Sequence, residues 1–143
     1  MQRLDRRRCT PSATSMTWCR ALVVWLVVIA AETVHGILRQ LFLAPIVGDL
    51  VARQIGVVVG SLIIFIIAFV SVRWLNARTL HEQLGVGALW VVLTVVFELA
   101  LGTLLGLTRE RMLADYDLTA GGFMAFGLLF LLLSPVLAAR ARR

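Results

Sequence analysis

The chain has 143 residues, 60% of them hydrophobic and 15% charged, with a mean hydropathy of +0.92. This excludes an ordinary soluble domain, in which about a quarter of residues are charged. The net charge of +6 and pI near 11.2 do not point to nucleic acid. Every basic residue is arginine, and the arginines gather at the ends of apolar runs rather than along one polar face, which is a topology signal.

Four apolar runs predict an all-α membrane protein, a single domain over 1–143 built as a four-transmembrane-helix bundle. Each run is near the roughly 20 residues needed to cross about 30 Å of hydrocarbon. The first, over 20–43, follows a basic tail (1–19) and runs from "ALVVWLVVIA" straight into "AETVHGILRQ". A secretory signal is the competing reading of this start, because Arg20 leads a short apolar run that ends in small residues. The immediate return of apolar sequence at "VHGILRQLFLAP" favours a retained helix. Cys9 and Cys19 match no zinc spacing and read as reduced thiols.

Within this first helix Glu32, His35 and Arg39 stand at i, i+3 and i+7 and share one stripe with Gly36, Trp25 and Trp18. An ionised side chain facing hydrocarbon costs at least about 2.5–3.5 kcal/mol. The stripe is therefore expected to face the bundle interior.

The second run, over 55–75, follows the joint "APIVGDLVARQ". Asp49, Arg53, Gly56 and Gly60 form its polar and small stripe, and "GVVVG" is a small-xxx-small pattern that lets helices approach closely. The third run, over 86–107, sets Thr94, Glu98 and Gly102 on one face near Gly87 and Trp90, with Gly106 extending the packing surface. The joint "TRERMLADYDLTAGG" reads as a solvated loop closing on a glycine pair, with a contact surface formed by its mixed charges and one Tyr as the alternative. The fourth run, over 122–139, offers little polar beyond Ser134 before Pro135, and reads as structural.

Orientation follows from arginine placement. Arg3, Arg6, Arg7, Arg8 and Arg20, then Arg73 and Arg78, then Arg140, Arg142 and Arg143 (tail 140–143) belong inside, so both termini are predicted cytoplasmic. At about 1.5 Å per residue, Glu32 and Glu98 come about 16 and 18 Å above the inner edge, with His35 at about 21 Å. These heights predict one polar cluster of Glu32, His35 and Glu98 in the outer half, beneath Arg39 and Arg53.

The cluster suits a binding or accessory protein, in which it pins the first helix to the second and third. The alternative is a small proton- or ion-coupled transporter working through Glu32 and Glu98, since intramembrane carboxylates commonly mark pathways. A third reading takes "ETVH" as a Glu-x-x-His metal or haem site, but the second such pair that a di-iron bundle needs is missing. No metal or cofactor is therefore expected. The sequence contains no nucleophile–base pair and no phosphate-binding glycine loop, so an enzyme is not expected.

Four helices and a glutamate in the first make the chain similar to small multidrug transporters. Its greater length, His35 and Glu98 depart from that pattern, and no motif carries over. The stretches "ETVHGILR", "ARQIGV", "TVVFELALG" and "ADYDLTAGG" resemble those of small bacterial proteins, which implies a multi-pass location in the inner membrane. The expected partners are the lipid bilayer and a second copy or another membrane protein, with no nucleic acid.

Overall fold

The computed structural model describes residues 13–114 and 116–142, and all regular structure among them is helical. The tail with Arg3, Arg6, Arg7, Arg8 and Cys9 lies outside the described residues, as do Asp115 and Arg143. Helix α1 (Ala13–Leu38) passes through a π-helical turn (Arg39–Leu43) into α2 (Ala44–Val47). There follow α3 (Asp49–Leu75), α4 (Leu80–Leu104), the short α5 (Arg109–Ala114), a 3-10 turn (Leu118–Ala120) and α6 (Met124–Ala141). Four stretches, Met16–Val47, Asp49–Leu75, Leu80–Leu104 and Met124–Ala141, are long and apolar enough to cross a membrane.

Local chemistry explains where these rods bend and stop. Pro45 has no N–H and its ring would crowd the carbonyl of Leu41, four residues earlier. The chain answers with a wider turn, in which the Ala44 N–H bonds to the Arg39 carbonyl. The joint "APIVGDLVARQ" is thus helical except at Gly48, whose φ of 85° and ψ of 155° fall in a region reserved for glycine. Helix α4 opens on a capping box: Thr79 Oγ1 accepts from the Glu82 N–H at 3.2 Å, and the Glu82 carboxylate accepts from the Thr79 N–H at 3.0 Å.

The far end of α4 corrects one expectation. Gly106 is not a packing residue: its φ is 69°, and a Cβ there would meet nothing within 4 Å. It ends the helix in a Schellman motif, with Leu107 N–H on the Gly102 carbonyl at 2.9 Å and Gly106 N–H on the Thr103 carbonyl at 3.1 Å.

Helix α6 packs broadly against both α3 and α4, while α1 packs against α3 and, on a narrower front, α4. Two indoles set the register of α1 and α4. Trp90 Nε1 donates to the Ala21 carbonyl at 2.9 Å and Trp25 Nε1 donates to Thr94 Oγ1 at 3.1 Å, each across a sequence offset of 69. The two helices therefore run parallel and in step. At Gly87 of α4 the Leu132 backbone carbonyl of α6 occupies the space of a side chain.

Pro135 leaves the Leu131 carbonyl without its helical donor, and the Ser134 hydroxyl donates to that carbonyl at 2.9 Å. The apolar core, including Val24, Val28, Leu75, Val86, Trp90 and Leu131, is concentrated towards the end where α1 and α4 begin. That same end carries Arg20, Arg73, Arg78, Arg140 and Arg142. Elsewhere the bundle turns apolar side chains outward, and only 17–28% of the most apolar window in each long helix is buried. So large an apolar exterior marks a surface that meets a membrane or another protein.

Candidate functional site

Of the α1 stripe, Glu32 and Arg39 lie against α3, while Trp25 and Trp18 meet α4 at Thr94 and Gly85. Glu32 Oε2 pairs with His35 Nδ1 at 3.3 Å, one turn along the same helix. The carboxylate rests on Gly60, where an added Cβ would stand 2.7 Å from Oε2 and 3.3 Å from Oε1. Arg39 lies against Gly56, with Nε 3.3 Å from the position of a Cβ. Gly56 and Gly60 therefore receive charged side chains, where sequence alone suggested backbone-to-backbone approach.

Side-chain direction makes the match possible. Cβ bonds on a helix tilt towards its N-terminus, so the long Arg39 side chain reaches back along α1 towards the level of Glu32. The two groups then sit over glycines one turn apart on α3. Glu32 Oε1 is buried and has no hydrogen-bond partner among the described residues. Thr33, its neighbour, is satisfied locally, its hydroxyl donating to the Ile29 carbonyl at 2.7 Å.

Glu98 occupies the adjoining level on α4. The offset of 69 between α1 and α4 sets it beside Ile29, below Glu32 by about 4.5 Å of helical rise. Its carboxylate accepts a hydrogen bond from Tyr116 Oη at 3.0 Å. Arg53 stands nearer the start of α3 and pairs with Asp49 at 3.2 Å; Asp49 also accepts from Arg111 at 2.9 Å. Arg53 is thus joined to this second ionic group rather than to Glu32 by the contacts seen.

The α4–α6 connection folds back over this end of the bundle. Met112 fills the space beside Gly102, Tyr116 reaches Glu98, Arg111 reaches Asp49, and Gln54 Nε2 donates to the Gly121 carbonyl at 3.4 Å. The segment expected to be a solvated loop, with a contact surface as the alternative, is thus packed against α3 and α4. Its Met and Tyr amid charges were the available signal, because apolar and amphipathic side chains in a polar stretch need a surface to cover.

A shallow groove of about 800 Å³ runs along α1 past His35, lined by Val27, Ala31, Val34 and Leu38 with Ile63 of α3. His81 lies at the opposite end of the bundle, in the first turn of α4. Among the described residues no three His, Cys, Asp or Glu side chains converge as a metal site.

Comparison of the chain with protein-family models, with curated proteins and with solved structures finds no match. The functional reading therefore rests on this geometry.

Proposed function

We propose that the chain is a small multi-pass protein of the bacterial inner membrane, both termini cytoplasmic, which binds a hydrogen-bond-donating group at the Glu32–His35 centre in a non-catalytic, accessory role. The donor belongs to a small polar ligand or to a neighbouring membrane protein. One observation carries the reading: among the described residues Glu32 Oε1 is buried without a partner while Oε2 is held by His35. A buried acceptor left unsatisfied costs about 1–3 kcal/mol, more when it is charged, and acyl chains offer no donor. An incoming N–H, O–H or proton removes that cost.

The test is purification from native membranes in mild detergent, followed by native mass measurement. Wild type is expected to carry a bound molecule or polypeptide that Glu32→Leu loses. Equal masses of adduct, or none in either protein, would overturn the reading.

Proton-coupled transport is the second reading, favoured by the two carboxylates at successive levels on α1 and α4. It predicts proton uptake into vesicles, reported by a trapped pH-sensitive dye, that disappears in both Glu32→Gln and Glu98→Gln. Uptake unchanged in either variant removes it.

A further inference from the structure

A second feature lies on the other side of the bundle, between α3 and α6. These helices run parallel, and their outer faces frame a groove of about 840 Å³ lined by Val58, Leu62, Phe65, Phe130, Leu137 and Arg140, among others. Arg140 is its one charged lining residue and lies at the basic end. Three of the other arginines at this end are engaged, while Arg73 is exposed outside the groove. Arg20 donates to the Trp74 carbonyl at 2.9 Å and lies over its ring, while Arg142 donates to the Val70 carbonyl at 3.4 Å and lies 4.7 Å over Phe69. Arg78 donates to Asn76 Oδ1 at 3.0 Å.

Arg140 differs from these. It is exposed and, among the described residues, it meets no carboxylate, carbonyl or aromatic ring. The one described acidic residue at this end, Glu82, accepts from the backbone of Arg78 and Thr79 at 2.8 and 3.0 Å. The groove thus joins an apolar trough to a guanidinium that meets no counter-charge among the described residues. Basic pockets between helices at the cytoplasmic face bind anionic lipid headgroups by this combination.

We propose that the α3–α6 groove binds an anionic phospholipid, one acyl chain lying between Phe65 and Phe130 and the phosphate meeting Arg140. The inference rests on the membrane placement given under the proposed function, with the basic end in the cytoplasmic leaflet. It is independent of the Glu32 centre.

The experiment uses the full chain in mixed micelles of phosphatidylcholine with a minor share of phosphatidylglycerol, and counts bound lipids by native mass measurement. Wild type is expected to retain phosphatidylglycerol in preference to phosphatidylcholine. Arg140→Gln should lower that preference about fivefold, the worth of one arginine near an anionic headgroup. Arg140→Lys should keep most of it, and Arg73→Gln, whose exposed charge lies outside the groove, should leave it unchanged. Leu62→Trp, which fills the trough from an exposed position, should lose bound phosphatidylglycerol with Arg140 intact.

Equal effects of Arg73→Gln and Arg140→Gln would reduce the preference to diffuse surface charge and overturn the proposal, as would full retention in Leu62→Trp. An alkaline carbonate wash separates the two levels of failure. Release of the protein from membranes overturns the membrane placement itself, whereas a retained protein indifferent to phosphatidylglycerol overturns the lipid site alone.

Discussion

The carboxylate of Glu32 in α1 lies on the bare backbone of Gly60 in α3, where an added Cβ would come within 2.7 Å of Oε2. Because the obstruction is the tip of a flexible side chain, Gly60→Ala should be accommodated by rotating Glu32 away from His35. The expected result is a stability change below about 1 kcal/mol together with loss of the same bound species that Glu32→Leu loses. Thermal denaturation in detergent beside native mass measurement checks both halves.

Replacing both members of the Glu32–His35 pair by leucine should stabilise the bundle. A half-satisfied buried polar pair is often no better than apolar residues of similar volume, and the exchange is worth about 1–4 kcal/mol in favourable cases. The measurement is the midpoint of unfolding by a denaturing detergent. A double variant less stable than wild type would mean that the pair holds α1 in place.

Two glycines should answer alanine in opposite ways. At Gly87 the added methyl meets the Leu132 carbonyl of α6, which is backbone and cannot rotate aside. Overpacking of this kind costs about 1–3 kcal/mol. At Gly36 it meets nothing within 4 Å, so the gain in helix propensity, up to about 1 kcal/mol, should dominate.

Trp25 and Thr94 should couple directly. A cycle of Trp25→Phe, Thr94→Val and the double variant is expected to give about 0.6 kcal/mol, the usual size for hydrogen bonds between membrane helices. A coupling of zero would leave the register of α1 and α4 to the Trp90–Ala21 hydrogen bond alone.

Orientation has its own measurement. Cysteine placed at Thr119, exposed in the folded-back connection, should react with an impermeant thiol reagent added to the outside of cells, whereas the exposed Cys19 should react only after the membrane is opened. The reverse pattern would invert the proposed topology.

Much of this arrangement was legible in the residues, and the reasons differ from place to place. Helical periodicity put Glu32, His35 and Arg39 on one stripe, and Gly56 and Gly60 of α3 are the positions that receive Arg39 and Glu32. The level of Glu98 was counted from assumed membrane edges, whereas the protein sets it by the Trp90 and Trp25 hydrogen bonds to α1 and Thr94. No periodicity contains that information. The folded-back connection depends on contacts as remote in sequence as Arg111 with Asp49, 62 residues apart, and local composition cannot supply them. The capping box at Thr79 and Glu82 was written plainly as T-x-x-E, so the start of α4 at Leu80 could have been placed six residues earlier than the apolar run suggested.

Gly48 gives the first two rods a mechanical character of their own. With a single non-helical residue between α2 and α3, the hairpin has no slack to pay out, so one arm cannot slide like a piston past the other. Any motion that opens the face holding Glu32 must be a tilt about that one pivot. Its amplitude would then be largest at the arginine-rich end and smallest at the corner itself.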